Sequence, residues 1–153
     1  MKKLLLPVAI VTALMLVGCG KETPSETADD VANARANAVE DIGDARDAAN
    51  ETISQANDQV AAAQQAYVNS DNKALKKLTA AESAAMIKTA NADFDVATTE
   101  ADARFSIAEQ KCGAVSGVDK DACLSAANAV LAVDRATATA QRDAALAQAE
   151  HHD

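Results

Sequence analysis

Three cysteines and two histidines hold most of the reactive side-chain chemistry in this chain of 153 residues. The cysteines are Cys19, Cys112 and Cys123, and the histidines, His151 and His152, stand in the terminal run "EHHD". Nucleophilic catalysis needs a nucleophile, a base within hydrogen-bond reach and a group that orients the base. Two histidines at the extreme carboxyl end complete no such set. With Glu150 and Asp153 they are the metal-ligand candidates of the chain. Adjacent histidines point in different directions on a helix, and a terminus holds geometry poorly, so a solvated tail without metal is expected. Acid pairs at Asp29–Asp30 and Asp93–Asp95 have the composition for proton transfer. Nothing in the pattern around them predicts burial, and they read as a solvated helix face. Tyr67, Phe94 and Phe105, spaced helically, read as core or seam residues and not as a ligand platform. No glycine-rich phosphate loop or GKS/T run occurs. The expectation is a non-enzymatic chain with no catalytic residue, no cofactor and no small-molecule substrate.

The formal charge is −9. Such a balance repels phosphate backbones, and no basic stripe interleaved with aromatics is present, so nucleic-acid binding is not expected. Attraction to anionic lipid headgroups is disfavoured for the same reason.

The elements that would carry these residues follow from alanine. It abounds, there is no Trp, and large apolar residues are sparse after residue 20. Alanine is the best helix former but adds little buried area, at roughly 25 cal/mol per Å². Both prolines, Pro7 and Pro24, lie before residue 28. The predicted class is all-α: long helices in an antiparallel hairpin, three-helix bundle or coiled coil.

Helix 1 is expected over about 28–68, with Thr27 as N-cap and Asp29 and Asp30 in the first turn. A heptad seam fits from residue 32. One row is Ala32, Val39, Arg46, Ile53, Val60 and Tyr67; the other is Arg35, Ile42, Ala49, Ala56 and Ala63. The two arginines interrupt it, and no strict long-period repeat is visible. "NSDN" at 69–72 predicts a turn, with one unbroken helix as the alternative. Helix 2 is expected over 73–111, with Leu75, Leu78, Ile87, Phe94, Ala101, Phe105 and Ala108 inward. Gly113 to Gly117 form a bend, and helix 3 covers about 119–150 with Cys123, Leu124, Ala127, Leu131, Ala138, Ala145 and Leu146 inward.

Residues 1–20, "MKKLLLPVAIVTALMLVGCG", pair a basic start (Lys2, Lys3) with an apolar stretch from Leu4 to Val17 and small residues at its end. This is the layout of a secretory signal. At about 14 residues the stretch falls short of the roughly 20 that span a bilayer. Leu16-Val17-Gly18-Cys19 resembles the lipobox of bacterial lipoproteins. The resemblance, which covers these first 20 residues, implies diacylglyceryl transfer to the Cys19 sulfur, removal of 1–18 as a signal peptide, and acylation of the new amino terminus. Gly20 in place of Asp after that cysteine implies sorting, in a Gram-negative host, to the periplasmic face of the outer membrane. Loss of Lys2 and Lys3 would take the charge from −9 to about −11. Residues 19–27 would be a lipidated tether, and 28–153 the helical body.

Lipidation of Cys19 would leave an even pair, Cys112 and Cys123, flanking "GAVSGVDKDA". Outside the cytoplasm such a pair is expected to be oxidised. Free thiols and a redox or metal pair are the alternatives, although CxxC spacing is absent. The segment "KCGAVSGVDKDAC" also resembles a Cys-loop of small proteobacterial envelope proteins. An alanine-rich helical body behind a lipobox is similar in style to murein lipoproteins. Wall-linked members of that group end in lysine, whereas this chain ends His152-Asp153, so non-covalent spacing or scaffolding is the implied role. The expected partners are the membrane, through acyl chains on Cys19, and a second copy or another envelope protein. A periplasmic adaptor or chaperone-like binder, and a metal or ligand sensor using the terminal histidines, are the alternatives.

Overall fold

The computed structural model describes residues 22–69 and 73–152. These form three helices, α1 (Pro24–Val68), α2 (Lys73–Cys112) and α3 (Val118–Glu150). The all-α bundle expected from composition is present, with its disulfide at a hairpin end.

Helix α1 starts four residues earlier than the sequence reading placed it. Thr23, and not Thr27, is the N-cap, and its hydroxyl accepts from the Glu26 amide. The Glu26 carboxylate returns the bond to the Thr23 amide at 2.9 Å, closing a capping box. That backbone hydrogen bond, followed by the one from the Thr23 hydroxyl, lowers the Glu26 carboxyl pKa below the usual glutamate range. Pro24 sits in the first turn, where no amide donor is required of it. Thr27 is instead an interior residue of the helix, and buried. The expected lipidated tether, 19–27, is correspondingly shortened by the helix that begins at Pro24.

Helices α1 and α2 run antiparallel, so the unbroken-helix alternative is not adopted: Glu22 bonds Gly113 at one end, and Lys88 donates to Gln59 further along. Helix α3 returns antiparallel to α2, from the Cys112–Cys123 bond to Ser83, whose buried hydroxyl donates to the Ala149 carbonyl at 3.0 Å. Among the described residues α1 packs on α2 and α2 on α3, while α1 and α3 make no close backbone approach. Helix α2 is therefore the middle of a three-helix meander.

The packing period explains that arrangement. Buried positions recur every eleven residues: Thr27, Ala38 and Ala49 on α1; Ala90, Ala101 and Cys112 on α2, with Ala92 and Ala103 as a second row; Ala138 and Ala149 on α3. Eleven residues in three turns is about 3.67 per turn, closer to a straight α-helix than the 3.5 of a heptad seam. The heptad seam of the sequence reading is accordingly displaced. Ala49 and Ala56 are buried as expected, but Ala32 is exposed and Val39 is 75% exposed. On α2, residues two apart differ by about 200° around the axis, so its two buried rows lie roughly 160° from each other. The row with Ala103 faces α1 and that with Ala101 faces α3. Contacts on nearly opposite sides of the middle helix lay the three helices out as an open layer. The core is alanine, and Cys112 is the largest fully buried side chain. The bigger apolar residues flank the alanine rows half-buried, including Ile42, Ile53, Phe94, Phe105, Leu124, Leu131 and Leu146. Leu75 and Ile87, expected inward, are exposed.

Arginines cross the layer. The Arg46 guanidinium, which the heptad reading placed in the seam, donates to Glu100 at 2.7 Å; Arg104 lies 3.8 Å from the same carboxylate and 3.1 Å from Asp134 on α3. The chain of charges thus straps all three helices. Arg135 meets Asp102 at 2.7 Å. Each of these exposed pairs contributes roughly 0–1 kcal/mol. Gly43 is the one helix-interior glycine of α1, and a methyl group there meets nothing within 4 Å. Gly43→Ala is expected to stabilise the protein by about 0.5–1 kcal/mol, read as a raised denaturation midpoint.

Candidate functional site

The disulfide closes the end of the layer where α2 turns into α3. Cys112, at the carboxyl end of α2, is 1% exposed, and its sulfur is bonded to that of Cys123 with the Cα atoms 5.7 Å apart. Between them the chain turns through 113–117. The amides of Gly113, Ala114 and Val115 donate back to the carbonyls of Gln110, Lys111 and Cys112, which satisfies the last turn of α2. Gly117 then caps α3 with φ at 60°, a conformation that glycine adopts without Cβ strain. Asp119 and Asp121 occupy the first turn of α3, next to its positive end.

The amino end of α1 docks onto this turn. The Glu22 amide donates to the Gly113 carbonyl at 3.3 Å, and the Glu22 carboxylate accepts the Thr27 hydroxyl at 3.2 Å. That carboxylate lies so close over Gly113 that a methyl group in the glycine's place would overlap it. Glu22, Gly113 and the disulfide thus form one joint among all three helices. Glu22 was invisible to the sequence reading, which placed it in the lipidated tether 19–27.

Beside the joint, α2 and α3 enclose an apolar groove of about 300 Å³, floored by Ala101, Phe105, Ala108, Cys112, Ala127 and Leu131. Arg104 and Lys111 stand at its rim. Phe105 is therefore part groove lining and part seam. Phe94 lies further along under the Arg142 guanidinium, which is 4.5 Å from its ring centroid. Tyr67 is 41% exposed at the far end of α1. A second cleft, of about 520 Å³, opens between α1 and α2 and is lined by Asp41, Asp44 and Asp102. Asp102 is occupied there by Arg135. No group of three or more His, Cys, Asp or Glu side chains converges in metal-binding geometry among the described residues.

The remaining candidates lie apart. His152 reaches back to α2, with Nε2 at 3.0 Å from a Glu82 carboxylate oxygen, while His151 and Glu150 are exposed. Asp153 and Cys19 fall outside the described residues. Of the acid pairs, Asp29 and Asp95 are exposed; Asp93 lines a small cleft against α3. No helix of the described residues is long and apolar enough to cross a membrane.

No protein-family model, no curated protein and no solved structure matches this chain. The class that the fold defines is an alanine-cored, disulfide-closed three-helix layer.

Proposed function

We propose that the chain is a lipid-anchored protein of the bacterial envelope, carried at the periplasmic face of the outer membrane, where it acts without catalysis as a spacer or scaffold. The observation that carries this reading is the lipobox-like run Leu16-Val17-Gly18-Cys19, and the position of Glu22 tells how an anchor there would join the body. Three residues after Cys19, the chain is already bonded into the joint formed by Gly113 and the disulfide. An acyl group on Cys19 would therefore hold a preformed helical body directly, with almost no slack. The body suits a spacer: α2, with 40 residues, extends about 60 Å. Two or three acyl chains, at about 0.8 kcal/mol per buried CH₂, are enough for stable anchoring, and one is marginal. The disulfide favours an oxidising compartment.

Cys19→Ser tests the anchor. The variant is expected to accumulate as uncleaved precursor without acyl label, and normal processing of it would overturn the assignment. A second reading, an adaptor that receives part of another envelope protein, is favoured by the apolar groove lined by Phe105 and Leu131. Crosslinking in the native envelope separates the two: self-adducts support the scaffold, and a single heterologous adduct mapped to the groove supports the adaptor.

A further inference from the structure

We infer that the disulfide-closed end of the layer is its membrane-facing end, and that the turn from Ala114 to Val118 lies at the lipid surface. The inference rests on the lipid-anchor reading and adds to it an orientation and a contact surface.

Chain length sets the first constraint. Cys19 and Glu22 are three Cα–Cα steps apart, and at 3.80 Å per step the Cα of Cys19 lies within about 11 Å of that of Glu22. Glu22 is itself held on Gly113 by its amide, while its carboxylate lies over that glycine and accepts the Thr27 hydroxyl. A lipid attached at Cys19 therefore draws the 113–117 turn to the headgroups, and not merely some distant point on a flexible linker. Of the two ends of the layer, the one with Val68 and Asn69 lies about 60 Å away along α2, and His152, beside Glu82, lies about 45 Å away.

The turn's surface suits such a contact, although chain length alone selects this end over the other. Val68 at the opposite end is 77% exposed; Val118, the first residue of α3, is 83% exposed and follows half-buried Ala114 and Val115. Nothing in the described chain covers it. The charges around it are of both signs: Lys111 and Lys120 stand among Asp119, Asp121 and the Glu22 carboxylate that lies over Gly113. A tip that carries exposed valine among charges of both signs fits a zwitterionic headgroup layer better than an anionic one, the valines replacing interfacial water.

The chain has no Trp, so one introduced indole reports alone. Full-length lipidated protein is placed in phosphatidylcholine vesicles with and without dibrominated phosphatidylcholine, a short-range quencher. Val118→Trp and Ser116→Trp, both at exposed turn positions, are expected to lose half or more of their emission to the brominated lipid. Val68→Trp, exposed at the opposite end, is expected to lose none. Quenching of Val68→Trp equal to that of the turn variants would mean a layer lying flat, and would overturn the orientation. So would absence of quenching at all three positions in protein that floats with the vesicles. Wild-type protein that takes no acyl label and fails to float overturns the anchor itself, and the orientation with it; flotation thus separates the two failures.

Discussion

Replacing Cys112 and Cys123 together by alanine, or reducing them, is expected to lower stability by roughly 2–3 kcal/mol, the loop-closure value for eleven intervening steps. For a chain of this size that corresponds to a fall of about 4–12 °C in melting temperature. The loss should be uneven along the molecule. Cys112 ends α2 and is the largest fully buried side chain, and the next residue, Gly113, receives the Glu22 amide. Opening the bond lets the turn and the first turn of α1 fray together. The other end stays held by Ser83 on Ala149 and by His152 on Glu82. Hydrogen exchange should therefore accelerate first at amides 22–27 and 113–124, and last around 83–90 and 140–149. Alanine at both positions is preferred to serine, because a hydroxyl in the site of Cys112 would add its own desolvation cost. Equal melting with and without reductant would contradict the staple, as would thiol labelling of both cysteines in unreduced protein.

What could be read from the chain, and what could not, divides along physical lines. Alanine abundance, the position of both prolines and the turn residues near 69–72 and 113–117 give three helices whose bounds lie within a few residues of those found, because these are local preferences of the backbone. The Cys112–Cys123 bond was legible from parity and spacing. The face of each helix was not. With alanine at so many positions, a seven-residue frame can be drawn through buried Ala49 and Ala56 and still run out to exposed Val39. Hydrophobicity does not separate an inward alanine from an outward one. The eleven-residue period is recoverable only when Thr27, Ala38 and Ala49 are compared with Ala90, Ala101 and Cys112. Thr23 was missed as the N-cap because Pro24 suggested a tether, although a proline in the first turn is a start signal. Glu22 and Arg46 owe their roles to partners far along the chain, Gly113 and Glu100, which no local pattern announces.

The period has a consequence that single substitutions can test. Ala101 is 1% exposed against α3 and Ala103 is 8% exposed against α1, although only two residues separate them. Leucine matches alanine closely in helix propensity, so its effect at either position is one of packing. Alanine at a contact lets helix axes approach toward the lower end of the usual 8–10 Å range, and the three extra carbons of leucine would force such axes apart. Ala101→Leu is expected to cost about 1–3 kcal/mol, and Ala103→Leu a similar amount. Val39→Ser, on a residue that the heptad frame would bury, should stay within about 0.5 kcal/mol of wild type. Hydrogen exchange distinguishes the two leucine variants. Ala101→Leu should loosen α3 and leave α1 protected, whereas Ala103→Leu should loosen α1 and leave α3 protected by the disulfide and by Ser83. A closed triangular bundle would behave otherwise, since each helix would then support both others and either leucine would loosen all three. Loss of protection in the same helices for both variants would therefore rule out the open layer, whatever the size of the destabilisation.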